Sequence, residues 1–328
     1  MKRISLELGS GGKLMKDFIN GAIVPSFENR FLGELGDAAI LPKGIAFTTD
    51  SYVVDPIFFP GGDIGTLAVN GTVNDLVVSG AVPLFLSLAL ILEEGLAGED
   101  LEKILKSIRR AARKAGVKIV TGDTKVVRRG QGDKIYVNTS GIGRIIAWPS
   151  VKKIRPGDKL ILTGTLGEHS AAIMLARGDF GFLSGVKSDC APLLFLLPVW
   201  KKKALWMRDI TRGGLATVLS ELASDLPYPI LIEEEAIPLS RPVRGAAGLL
   251  GIDPLYLACE GRAVVIVPKD KARAILRDIK KHPQGKGAKI VGEVQTKIGK
   301  PGELLLRTAT GGLRLLEPLT SELLPRIC

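Results

Sequence analysis

Histidine and cysteine are scarce, two and three among 328 residues. The cysteines stand at 190, 259 and 328 with no CxxC spacing, which argues against both a zinc site and a secreted disulfide framework. Aromatic residues make up 5%, leaving little on which nucleobases could stack. Asparagine and glutamine total eight, a depletion that fits a thermophilic source. No apolar run suits a membrane span: the longest, from Ala81 to Leu92, is short and broken by Ser87. The first residues, Met1 to Glu7, turn acidic and then Gly-rich at once, unlike a signal peptide. There is no GxxxxGK[ST] and no complete GxGxxG after a strand, so neither a P-loop nor a dinucleotide fold is supported. With 46% apolar and 24% charged residues, the chain reads as a soluble, cytoplasmic, globular protein. At roughly 150 residues per domain it holds two domains and needs no covalent staple.

Charge is unevenly spread. Residues 1–100 carry a net −7, residues 101–160 a net +12 and residues 161–328 a net +6. The basic block includes Lys103, Lys106, Arg109, Arg110, Arg113 and Lys114 at the spacing of one solvated helix face. Alternating strand and helix signals run through both halves. Strands are expected over 45–54, 84–92, 117–127, 135–146, 159–163, 229–233, 263–267, 289–295 and 303–307. Helices are expected over 14–24, 63–80 with Asp63 as N-cap, 100–115 closed by Gly116, 168–177, 209–226 and 269–281. Trp148-Pro149 and Arg155-Pro156-Gly157 mark a boundary near residue 150. The reading is therefore an N-terminal domain over 1–150, a second over 151–317 and a flexible tail over 318–328.

Acidic residues recur beside glycine-rich turns: Asp37, Asp50, Asp75, Asp123 and Asp209. Taken singly, each reads as a cap or a turn residue. As a set they suggest a magnesium–nucleotide site, because hard divalent cations take carboxylate oxygens together with substrate phosphates. Asp75 is the informative one. Asn74 and Asp75 interrupt an apolar helix, where a buried polar pair costs free energy unless it is paired or metal-bound; an exposed helix face is the alternative.

Several segments resemble one family over the whole chain. They are Gly9-Ser10-Gly11-Gly12, Gly36-Asp37-Ala38-Ala39, the run from Thr48 to Pro56, Pro60-Gly61-Gly62-Asp63-Ile64-Gly65 and Asn74-Asp75-Leu76. They continue with the run from Thr121 to Val127, Asp209 to Leu215, Ala258 to Arg262 and the terminal Pro325-Arg326-Ile327-Cys328. With them the chain resembles the carbamoyl dehydratase family of hydrogenase maturation, HypE, in the aminoimidazole ribonucleotide synthetase and selenophosphate synthetase superfamily. The acidic segments are shared across that superfamily; the terminal Pro-Arg-Ile-Cys points to this branch. Two positions depart from the pattern: Leu8 stands where a histidine is expected, and Ser170 follows His169 where glycine is expected.

The resemblance implies a two-domain PurM-like (AIR synthetase-like) fold, an α/β N-terminal and an α+β C-terminal domain, whose N-terminal domains pair into a barrel in a homodimer. It implies ATP in the cleft between domains, with Mg2+ held by Asp37, Asp75 and Asp209. Asp50, Asp75 and the turn Thr121, Gly122, Asp123 would contact the nucleotide, and the loop Gly9, Ser10, Gly11, Gly12 would close over the phosphates or the arriving tail. Cys328 would be a substrate built into the enzyme. A carbamoyltransferase, HypF, would load its sulfur with a carbamoyl group. ATP-dependent dehydration would give a thiocyanate, the source of cyanide for hydrogenase iron, delivered to a HypC–HypD iron carrier. Lys125 and Glu260 are the matched candidates for the base. Against these roles, Lys125 could be a surface charge on a strand, Glu260 an ion-pair partner of Arg262, and Cys259 reads as a buried core thiol.

Two other readings remain open on the sequence. Selenophosphate synthetase would need a reactive Cys or selenocysteine near the N-terminal loop; Lys13 is present, but no cysteine precedes residue 190. A basic RNA-binding or scaffold protein using the +12 segment would bind nucleic acid with a steep salt dependence and turn over no ATP. The dehydratase reading implies neither nucleic acid nor membrane as a partner.

Overall fold

The structure, a computed structural model, describes residues 4–9, 12–27, 29–32, 36–178, 185–320 and 326–328. Ser10 and Gly11 of the Gly-rich run and residues 321–325 of the tail, Pro325 among them, lie outside the described residues.

The N-terminal half runs α1 (Lys13–Phe18), β1 (Ala39–Leu41), β2 (Ile45–Tyr52), β3 (Phe58–Phe59), β4 (Gly62–Asp63), α2 (Ile64–Val78), β5 (Ala81–Glu93), α3 (Gly98–Ala115), β6 (Lys118–Val127) and β7 (Ile135–Ile145). Five of the strands form a sheet in the order β1-β2-β7-β5-β6, with β3 and β4 as a separate small hairpin. Only the β5–β6 pair of that sheet is parallel, the crossover being α3. Gly122 is needed there for close approach: a Cβ on it would meet the Leu88 carbonyl oxygen at 2.1 Å.

Asp63 caps α2 by accepting a hydrogen bond from the Thr66 amide at 2.8 Å. Nearly all of α2 is buried, because it packs on the five-stranded sheet and against the second half of the chain. Gly116, in the left-handed conformation at φ +68°, closes α3. This helix buries Ile104, Ile108, Ala111, Ala112 and Ala115 and turns its lysines and arginines to solvent, so the basic block is a solvated helix face.

The second half runs β8 (Lys159–Leu162), α4 (Glu168–Ala176), α5 (Leu197–Lys201), β9 (Trp206–Asp209), α6 (Gly214–Ser224), β10 (Ile230–Glu233), α7 (Arg241–Leu250), β11 (Ala263–Val267), α8 (Ala272–Lys281), β12 (Lys289–Val294), β13 (Leu304–Arg307) and β14 (Leu313–Leu316). Its seven-stranded mixed sheet has the order β14-β13-β10-β12-β8-β11-β9. The helix expected over 209–226 is two elements. Asp209 ends a strand, and α6 starts only at Gly214, where Gly213 and Gly214, with φ of +80° and +65°, make the turn between them. Helix α1 is shorter than the expected 14–24 and continues as a turn of π-helix over Ile19–Ile23.

One apolar cluster joins the halves, running from Tyr52 and α2 to Trp200, Met207, Val265 and Ile327. The Trp200 indole crosses the same boundary, donating to the Val77 carbonyl at 2.8 Å. No helix among the described residues is long and apolar enough to cross a membrane.

Candidate active site

Asp37 lies two residues before β1, an edge strand of the first sheet, Asp75 lies on α2 and Asp209 ends β9. One carboxylate oxygen from each lies within 4.8 Å of the others. Burial first, then the neighbouring carboxylates, push the Asp75 and Asp209 carboxyls well above their ordinary range. The Thr48 hydroxyl lies 2.8 Å from Asp75 Oδ2 and 2.7 Å from the Asp37 carbonyl. It has one proton for two acceptors, which suits an Asp75 that itself carries a proton. Arg208 donates to Asp37 at 2.9 Å and to Glu221 at 3.1 Å, a built-in counter-charge beside the triad. Three crowded, desolvated carboxylates form an oxygen donor set that fits a hard divalent cation.

Asp50, on β2, joins this cluster. Burial raises its carboxyl, and its bonds with Asp75 and the Tyr52 hydroxyl oppose the rise. The Tyr52 hydroxyl, 3.1 Å from Asp50 Oδ2, leaves no room for a side chain at residue 71: a Cβ on Gly71 would sit 2.2 Å from it.

Glu260 is buried, and its Oε1 makes no hydrogen bond. Burial, then Asp209, Asp189 and Asp50, push its carboxyl well up, with Arg212 opposing. The segment is pinned from both sides. Asn74 of α2 donates to the Glu260 carbonyl at 3.2 Å, and Asp189 accepts from the Glu260 amide at 3.1 Å. Arg262 pairs with Glu168 at 3.1 Å and approaches Asp189 at 3.7 Å, so Glu260 is not its ion-pair partner. Cys259 is fully buried and accepts from the Gly167 amide at 3.2 Å, as a core thiol.

The end of the tail is docked in this cluster. Val53 N donates to the Cys328 carbonyl and Asp55 N to the Arg326 carbonyl, both at 3.2 Å. Arg177 donates to the Arg326 carbonyl at 3.0 Å and to the Asp55 carbonyl at 2.9 Å. Arg326 donates to the Val53 carbonyl at 2.9 Å and pairs with Asp133. The His169 ring meets the Ile327 carbonyl at 2.7 Å. Ile327 is 6% exposed within the joint core. The base of the tail is held as well: the Leu319 carbonyl accepts from the Lys13 amide at 3.0 Å, and a Cβ on Gly12 would lie 1.8 Å from that oxygen. Burial pushes the Cys328 thiol up to about 12, with Arg212 opposing and Glu260, Asp50 and Asp209 adding to the rise.

The structure thus gathers Asp37, Asp50, Asp75, Asp209, Glu260 and Cys328. It does not gather the rest. Thr121, Gly122, Asp123 and Lys125 lie on β6, exposed along almost its whole length at the edge of the sheet. Lys125 pairs with Asp123 at 3.0 Å. Strands β7 and β5 separate β6 from the β2 that carries Asp50, about 14 Å at the usual strand spacing. Within one chain, Lys125 is the surface charge weighed as its alternative. Gly9 and Gly12 flank the two undescribed residues of the loop. Sequence reasoning missed Arg212, the guanidinium beside Cys328, although it stands inside the Asp209-to-Gly214 segment. It also missed Asn74 as the pin of Glu260. Ser170, the departure from glycine, is buried and accepts from the Ala258 amide at 2.8 Å, tying α4 to the segment that carries Glu260.

Residues 35–145 match the model of the AIR synthase related protein N-terminal domain and residues 155–299 that of the C-terminal domain. Carbamoyl dehydratase HypE of Rhodobacter capsulatus is 47% identical over 337 residues, covering 100% of this chain and 98% of that one. Among solved structures, a HypE–HypF complex superposes with a TM-score of 0.86 at 44% identity, over 92% of this chain and 99% of that one. HypE in complex with ATP gives 0.83 at 44% identity, over 99% and 100%. With both halves of the fold matched and full-length identity at this level, the chain belongs to the carbamoyl dehydratase HypE family of the AIR synthase related proteins.

Proposed function

We propose that this chain dehydrates an S-carbamoyl group carried on its own Cys328 to a thiocyanate, at the expense of ATP, in hydrogenase maturation. The observation that carries the reading is the docked tail, with the Cys328 thiol set among Arg212, Glu260 and the carboxylate cluster. An amide-type oxygen leaves poorly; ATP supplies a phosphoryl group that turns it into phosphate, and a divalent cation held by Asp37, Asp75 and Asp209 would neutralise charge in that transfer. The carbamoyl oxygen departs with the phosphate and the nitrogen gives up its protons, leaving a C–N triple bond on sulfur. Glu260 is the base for a nitrogen proton: its raised carboxyl holds a proton more tightly than an exposed one, so as the carboxylate it is a stronger base. Arg212 balances the charge around the sulfur.

Lys125 enters from a second copy. Phe47 and Phe85 both pair with Ile142 across the sheet, and all three side chains are exposed on its open face beside the unpaired edge β6. A homodimer joining these faces covers them and brings β6, with Thr121, Asp123 and Lys125, towards the partner's nucleotide. The loop from Gly9 to Gly12 closes over the phosphates or the tail. A HypF carbamoyltransferase loads Cys328 and a HypC–HypD iron carrier takes the cyanide, all in the cytoplasm. The domain limits proposed are 1–150, 151–317 and the tail 318–328.

The test is the mass of the C-terminal peptide after incubation with ATP, Mg2+, carbamoyl phosphate and an active HypF. A carbamoyl adduct on Cys328 that loses one water only with ATP is expected. An unmodified Cys328, with HypF active on another acceptor, would refute the reading.

A further inference from the structure

His169 belongs to no part of the chemistry described above, yet it is fully buried and touches the tail one residue before the reacting sulfur. Its hydrogen bonds fix its protons. Ser188 Oγ accepts from the Cys190 amide at 3.0 Å and lies 2.8 Å from His169 Nδ1, so the hydroxyl proton is free for that nitrogen. The other ring nitrogen, Nε2, faces the Ile327 carbonyl at 2.7 Å, which can only accept. The Ile327 carbonyl selects the neutral tautomer with its proton on Nε2, and the Ser188 hydroxyl can donate to the bare Nδ1. Burial pushes the imidazole down to about 4, which keeps it neutral in the ordinary pH range.

The ring stands on a platform built by the Pro60-Gly61-Gly62 turn of the β3–β4 hairpin. Phe59 packs edge-on against the imidazole, with ring centroids 5.4 Å apart. The Ser188 amide donates to the Pro60 carbonyl at 2.7 Å. Gly61, at φ +96°, lets that segment approach: a Cβ there would lie 2.8 Å from the backbone nitrogen and oxygen of Ser188.

We propose that His169 is a positioning residue for the dehydration: its Nε2–H, oriented by Ser188 and the 58–63 hairpin, fixes the register of the docked tail and so the place of the Cys328 sulfur. The role in dehydration rests on the proposed function; the grip on the tail does not. The test therefore reads the tail directly, in the full-length protein without ATP or carbamoyl phosphate. Iodoacetamide alkylation of Cys328, followed by the mass of the C-terminal peptide, reports undocking. His169→Leu is expected to raise the rate about 5-fold, the effect of one lost hydrogen bond, and His169→Gln, which restores a donor, to recover most of it. Single-turnover dehydration should fall and recover in the same order, with ATP affinity unchanged. Nitrogen-15 spectra of the unsubstituted protein should show a protonated Nε2 and a bare Nδ1, a readout that needs no variant to fold. Alkylation unchanged in His169→Leu, or the opposite tautomer, would overturn the proposal. Altered alkylation with rescue, but no dehydration in any variant or in the unsubstituted protein, would uphold the grip and count against the reaction instead.

Discussion

Glu260→Gln separates catalysis from stability. The carboxyl is buried, its Oε1 is unpaired, and desolvation together with Asp209, Asp189 and Asp50 pushes it well up. A glutamine has the same shape but cannot take a proton, so single-turnover loss of water from carbamoylated Cys328 should fall by ~10²–10⁴-fold, the usual range for a general base. Stability should move differently. An acid whose folded pKa is raised binds its proton more tightly folded than unfolded. Stability then falls as pH climbs from the unfolded value, about 4.3, through the folded one, and stays reduced above it. The glutamine lacks that slope. Relative to the parent, the variant should be no better near pH 4 and increasingly favoured towards pH 8. An unpaired buried amide costs about 1–3 kcal/mol and works against this gain. At neutral pH the net thermal shift should stay within roughly 4 °C, what about 1 kcal/mol brings in a large domain. The assay pairs the mass of the tail peptide with calorimetry across pH. A variant that keeps more than a tenth of the rate would remove Glu260 from the chemistry. One that loses stability relative to the parent as pH rises would refute the electrostatic account of the site.

Asp75→Asn breaks the oxygen donor set, and Mn2+ binding followed by electron paramagnetic resonance should weaken by at least ~10-fold, since a hard cation loses a carboxylate from its few ligands; undiminished binding would put the metal elsewhere. Mixing Lys125→Ala with Glu260→Gln, each inactive alone, should restore about a quarter of the sites if Lys125 acts across a two-fold dimer, because half of the dimers are mixed and each holds one intact pair. No recovery after verified subunit exchange would return Lys125 to its own chain.

Much of the fold was legible because its elements obey local rules. The Asp63 cap, the Gly116 stop and the amphipathic pattern of α3 fix their own boundaries. Helix α2 stood out through the polar pair Asn74-Asp75 in an apolar run, and both residues face the candidate site: one pins the Glu260 segment, the other joins the carboxylate triad. What stayed hidden depends on distant pairing. The bond from Arg326 to the Val53 carbonyl spans 273 positions, and nothing in either segment marks the other. The strand ending at Asp209 falls inside a span expected as helix because four residues carry little periodicity, whereas the two left-handed glycines do lead into the helix, which starts only at residue 214. Lys125 could be matched by motif, but the motif does not say that it stands on an exposed edge strand, apart from the gathered carboxylates.

The contacts that seat the tail share one property. Among the described residues, the hydrogen bonds and the ion pair that hold its last three residues run to the carbonyls of residues 326, 327 and 328 or to the Arg326 side chain, and the sulfur makes none of them. A grip of this kind binds bare, carbamoylated and cyanated cysteine with the same hydrogen bonds. An interaction equal in two states shifts no balance between them. The tail is therefore held by its address and not by its cargo, and departure of the finished product has to be driven from outside these bonds: by the altered bulk and polarity at the sulfur, by exchange of nucleotide, or by a partner that competes for the same backbone.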